Sequence, residues 1–196
     1  MHRKFGLRVL VVGVALSMAG CAAPPTAEID SAKVSLDQAK TAGAAEYATG
    51  SLTAAQDAQA ALDAELATQN QKWLKTYTKA TELANAAKAA AEKAAADAAA
   101  GKAKAKADAT AAIERAKTAL ADAQALLEKA PKGKGSAADL EAMKTDLANA
   151  AASITDAEAA LNSERLVDAK AKAESATTAA TNVKTAVETA MAAKKR

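Results

Sequence analysis

Histidine, cysteine and aromatic side chains are almost missing from this chain. Its 196 residues hold one histidine (His2), one cysteine (Cys21), one phenylalanine (Phe5), one tryptophan (Trp73) and two tyrosines (Tyr47 and Tyr77). Enzymes of the common kinds need a base that titrates near neutral pH, an activated nucleophile or a metal. With the only histidine and the only cysteine inside the first 21 residues, the body of the chain has no material for a histidine-dependent triad, thiol catalysis or a His/Cys metal site. Carboxylates remain. Glu46, Asp57, Asp63 and Glu65 fall near Tyr47 in the sequence, but on a helix they read as a solvated face rather than a catalytic pair. The sequence therefore predicts no enzyme and no cofactor. Proline is also scarce, at three residues, and glycine at eight, so few positions force the chain to break.

The scarce residues are not scattered. His2, Arg3, Lys4 and Arg8 precede an apolar run, Val9 to Met18, of about ten residues, too short to cross a bilayer as a helix. Ala19 and Gly20 are small, Cys21 follows, and Ala23, Pro24 and Pro25 cannot extend a helix inward, so they read as a short tether. The stretch Ser17–Cys21 resembles the bacterial lipoprotein lipobox, with Met18 where leucine is commoner. The resemblance implies diacylglycerol on the Cys21 sulfur, cleavage between Gly20 and Cys21, and acylation of the new amino terminus. One acyl chain holds a protein to a membrane only marginally, whereas two or more anchor it stably. With the enterobacteria-like sorting of such lipoproteins, the resemblance and Ala22 rather than aspartate after the cysteine imply the outer membrane, facing the periplasm.

Loss of residues 1–20 removes the chain's apparent basicity. Taking Arg3, Lys4 and Arg8 from the 26 basic side chains leaves 23, equal to the 23 acidic ones. A neutral chain has no general electrostatic attraction for nucleic acid. Lys102, Lys104 and Lys106 do not alter this, because a spacing of two on a helix sprays them around its circumference.

What the chain has in quantity is alanine, roughly a third of its residues. Alanine is the best helix former, but its single methyl buries little when each CH₂ is worth about 0.8 kcal/mol. Long helices with thin seams are expected, not a thick core. Spacings of three and four mark them. Ile29, Ala32, Leu36, Ala39 and Gly43 predict a first helix from an N-cap at Thr26 to about Tyr47, and Ser51 caps the next. Leu52, Ala55, Gln59, Leu62, Leu66, Gln69 and Trp73 continue the pattern, which blurs into alanine and sharpens again from Ile113 to Ala130. If unbroken, residues 51–129 make a rod of roughly 120 Å. The polar run Thr68–Lys72 is the expected place for a break and Gly101 for a bend. Pro131 to Ser136 interrupts the chain plainly, with Ser136 as an N-cap. Leu140, Met143, Leu147, Ala150, Ile154, Ala157 and Leu161 follow, then a turn at Asn162–Ser163 and a last helix through Leu166, Ala173, Ala180 and Val187.

The expected fold is all-α, elongated antiparallel helical hairpins or coiled coil, with a long alanine-rich helix joining an N-terminal hairpin to a C-terminal three-helix bundle. The division is residues 1–20 signal, 21–25 tether, 26–104 hairpin and shaft, and 105–196 bundle. Trp73 and Tyr77, i and i+4 on a helix, would share a face that either packs on the chain or contacts a partner.

Ala32 and Ala39, Ala42-Gly43-Ala44, Tyr47-Ala48, Leu52 with Ala55, and Tyr77, Ala80, Leu83 and Ala84 form a further pattern. Over residues 21–104 it resembles the bacterial lipoproteins that carry the domain of unknown function numbered 4398, with Thr49 where those proteins often have proline. The resemblance implies a non-catalytic envelope lipoprotein of helical hairpins. A second likeness is to the Braun-type lipoproteins, helical rods joined to peptidoglycan by a C-terminal lysine, although here Arg196 follows Lys195. The expected role is a lipid-anchored structural spacer, or alternatively a periplasmic adaptor. The expected partners are the membrane through Cys21, a further copy of the chain, an envelope protein or peptidoglycan.

Overall fold

Alanine promotes helix and, being small, lets helices approach closely. The computed structural model describes residues 23–130 and 137–194, all of them in helices, turns or short connections. The helices are α1 (Thr26–Thr41), α2 (Ala44–Tyr47), α3 (Thr49–Asn70), α4 (Thr78–Glu128), α5 (Ala137–Asn162) and α6 (Leu166–Lys194). The 51 residues of α4 span about 76 Å and form the spine of the molecule. α1 and α3 pack on its first half, α5 and α6 on its second.

The core clusters give the directions. Ile29 near the start of α1 meets Tyr77, Ala80 and Ala84 at the start of α4 and Leu62 late in α3. Leu36, Ala39 and Ala44 meet Ala91, Ala94 and Ala98, with Leu52 and Ala55 from the start of α3. α1 therefore runs parallel to α4 and α3 antiparallel. On the second half, Ala109 meets Ala160 and Ala169, and Ala123 meets Leu147, Val183 and Val187. α5 therefore descends along α4, and α6 rises beside it. The chain runs up, down, up through both levels, down and up. The fold is all-α with a long helix joining the N- and C-terminal helices, as the alanine content and spacing predicted.

Because each hairpin returns to the middle of α4, their two turns meet at a waist. The first turn is made by Gly43, whose φ of +86° is open to glycine at little cost. Ala42 N–H donates to the Gln38 carbonyl and Gly43 N–H to that of Lys40, closing α1. The second turn is a Schellman closure of α5: Arg165 N–H donates to the Ala160 carbonyl at 2.9 Å, and Glu164 N–H to that of Leu161 at 3.1 Å. Glu164 takes the left-handed conformation there, at φ +58°.

Three local expectations change. The first helix ends at Thr41, not Tyr47, because the left-handed Gly43 breaks it. Thr26 and Ser51 are not caps: Thr26 is the first residue of α1, and Ser51 lies inside α3, where its hydroxyl donates to Asp97 of α4. The question left open for residues 51–129 resolves as a break: the chain reverses over residues 71–77, from the end of the polar run Thr68–Lys72 where a break was expected. Gly101 is not a bend: it lies inside the continuous helix α4. Gly20, Cys21 and the Ser136 cap lie outside the described residues.

Candidate functional site

Two places on the molecule gather unusual side chains: the tip where α3 turns into α4, and the waist. At the tip, the stem is built by Gln69, a polar residue only 2% exposed. Its amide nitrogen donates to Glu65 at 2.6 Å, and its amide oxygen accepts from the backbone N–H of Thr76 at 3.1 Å, seven residues on. Glu65 also pairs with Lys79 of α4 at 3.2 Å. The hydrogen bonds from Gln69 and Lys79 hold the Glu65 carboxyl below its ordinary value, outweighing the opposing effect of burial. A buried amide with both ends satisfied fixes the two stems of the loop to each other.

The sequence placed Trp73 and Tyr77 on one helical face. The structure separates them, because neither lies inside a helix: Trp73 is in the loop and Tyr77 is the cap position of α4. Tyr77 is buried among Ile29, Leu62, Ala80 and Ala84. Trp73 is 94% exposed and its neighbour Leu74 76%. Lys72 and Lys75 stand on either side, both exposed. The signal for this loop in the sequence was the polar run before it. The exposure of Leu74 beside Trp73 was missed, because the spacing read Trp73 as part of a helix.

At the waist, the backbone of Tyr47 crosses α4 directly over Gly101. A Cβ there would stand 3.0 Å from the Tyr47 Cβ and 3.2 Å from its carbonyl carbon, and closer still to the carbonyl oxygen. Beside this crossing, Lys102 pairs with Glu164 at 2.7 Å, joining the spine to the α5–α6 turn. Burial first, and the neighbouring Glu46 second, push the Tyr47 hydroxyl above its ordinary value. Lys104 pairs with Asp108 on its own helix at 2.7 Å. Two of the three clustered lysines thus have carboxylate partners within the chain. Glu46, Asp57 and Asp63 are exposed, and among the described residues no group of three or more histidine, cysteine or acidic side chains could hold a metal ion. No described helix is long and apolar enough to cross a membrane.

No protein-family model, curated protein or solved structure matches this chain. The likenesses drawn from residues 21–104 and from the lipobox rest on the quoted residues alone.

Proposed function

We propose that the chain is a lipid-anchored, non-catalytic helical spacer of the bacterial cell envelope, held to the outer membrane by acyl chains on Cys21 and projecting into the periplasm. One observation carries this reading: the chain enters α1 at one end of α4, and α6 finishes at the other. Pro25 precedes α1 at the end where Ile29 packs on Tyr77, and Val187 of α6 packs beside Ala123 and Ala130 at the opposite end. An anchor before residue 25 and a contact after residue 187 would be separated by most of the 76 Å of α4. The spine is lined by neighbouring helices along both halves, which stiffens it against bending. The work is mechanical, fixing one end and presenting surfaces at set heights.

The test uses intact bacteria. Wild-type protein should sediment with outer membranes and carry acyl chains at Cys21 by intact mass, while Cys21→Ser should be released into the periplasmic fraction. Photo-crosslinking probes at the exposed Val34 and Val167, one on each level, should then yield adducts to further copies of the chain or to peptidoglycan. A single dominant foreign protein at either probe would replace the spacer by an adaptor.

A further inference from the structure

The tip loop combines two features that packing alone does not explain. Its stems are fixed by the buried Gln69, yet the apolar side chains it carries, Trp73 and Leu74, face water. The aromatic residue that the core needed at this level, Tyr77, is already inside it. The loop also lies at the end of the rod where the chain enters. Ile29, one turn into α1, shares a core cluster with Tyr77 and Ala80, so Pro24 and Pro25 reach α1 beside the loop. The five residue steps from Cys21 to Thr26 extend at most about 18 Å. An anchor at Cys21 therefore brings this tip, and neither the waist nor the far end, to the membrane surface.

We infer that the loop Lys72–Lys75 is a second membrane contact, with Trp73 and Leu74 seated at the boundary between headgroups and acyl chains and Lys72 and Lys75 against anionic headgroups. The inference rests on the anchored reading above. Tryptophan favours that boundary because its ring is apolar and its N–H finds a partner there. Lysine stems lie along the apolar layer while the ammonium groups stay wet. Glu65, packed beneath the loop, is already paired with Lys79 and adds no free negative charge at the surface. A flexible acyl anchor leaves a rod free to pivot. A second contact next to it fixes the rod's stance, and over the length of α4 a small change at the base moves the far end a long way.

The chain has a single tryptophan, so its fluorescence reports this loop alone. Full chain extracted from bacterial membranes would be reconstituted in vesicles of phosphatidylethanolamine and phosphatidylglycerol, with and without brominated acyl chains. The expected result is a shift of Trp73 emission to shorter wavelength, quenching by the brominated lipid, and protection from acrylamide. Leu74→Asp with Lys72→Glu and Lys75→Glu, all at exposed positions, should abolish the quenching without changing the helical circular dichroism. In the Cys21→Ser chain, Trp73→Ala with Leu74→Ala should weaken residual vesicle partition about tenfold. Vesicle-bound protein whose Trp73 stays open to acrylamide and untouched by bromine would overturn the inference and leave the anchor standing. A blue shift that depends on protein concentration rather than lipid would overturn it in favour of contact between copies. If intact mass shows no acyl chains, the anchored reading fails; coupling Cys21 to a maleimide-headgroup lipid then puts the same question to the loop.

Discussion

A glycine within a long helix ordinarily lowers its stability, and replacing it by alanine should help by about 1 kcal/mol. At Gly101 the opposite is expected. The new methyl would overlap the Tyr47 backbone, which cannot swing aside as a side-chain tip could. Overpacking of this kind costs about 1–3 kcal/mol, more than the propensity gain. Gly101→Ala should therefore lower the thermal midpoint, whereas Gly50→Ala, with nothing near its added methyl, should raise it or leave it unchanged. A rise for Gly101→Ala would mean that the waist crossing is not as close as described. Glu65 is the second informative residue. Its carboxyl is held below the ordinary value of 4.5 in the folded chain, so the unfolded chain takes up the proton first. The stabilisation is present above that value and is lost as pH falls through it toward the folded value. Asp97, held down by Lys93 and then Ser51, and Asp108, held down by Lys104, act in the same direction. Thermal unfolding should shift to lower temperature on acidification below pH 4.5, and Glu65→Gln should flatten part of that slope. An unchanged slope in the variant would remove Glu65 from the account. Gly101 also shows what a sequence conceals: it reads as a place for a bend, but its need for close approach depends on Tyr47, 54 positions away.

Among the elements, α4 carries the most information. On its first half Ala80, Ala87 and Ala94 recur every seven residues, with Ala84, Ala91 and Ala98 between them. Continued, the first series would reach Gly101 and Asp108. Beyond the waist Ala109, Ala116 and Ala123 are buried instead, one residue later, with Ile113 between them in the shifted stripe and Ala112 still on the old one. A straight helix drifts about 20° per heptad, so three heptads carry the stripe roughly 60° around the axis. One additional residue at about 100° returns it. The slip keeps both hairpins on nearly the same side of a 51-residue helix without a kink. Ala91, fully buried against α1 and α3, and Ala99, exposed, provide a paired test. Ala91→Leu should destabilise by about 1–3 kcal/mol, and Ala99→Leu should have little effect. Equal effects would contradict the assignment of the seam. The branched seams of α5 and α6 were legible because leucine, isoleucine and valine stand out from alanine. Between Leu83 and Ile113 the buried positions are alanine and so are many exposed ones, so the pattern could not reveal which face was covered or by which helix. For the same reason the reversal at residues 71–77 had only the polar run Thr68–Lys72 as its sign, with neither glycine nor proline to mark where the loop ended.

At the scale of the whole molecule, that reversal decides the length. An unbroken helix from Ser51 to Lys129 would reach roughly 120 Å, whereas reversal into α4 limits the spine to about 76 Å. The difference is also one of thickness, because the 22 residues of α3 return along α4 instead of extending it. The shorter rod has three helices at both levels and the longer one would be bare through its middle. Stiffness favours the observed arrangement: isolated helices gain little from each alanine, and most helical stability in proteins comes from packing of a buried face. Two positions at opposite ends, Lys75 in the tip loop and Lys129 beyond α4, are both exposed and suit fluorescent labels. Energy transfer between them should report a separation near the α4 length, about 80 Å, in a chain that remains fully helical by circular dichroism. The same pair should hold that separation when α1 and α3 are intact and become broadly distributed when Ala91→Leu loosens them, because the first half of the spine then loses its lining. A narrow distribution in that variant would show that α4 is stiff by itself and that the hairpins serve some purpose other than support.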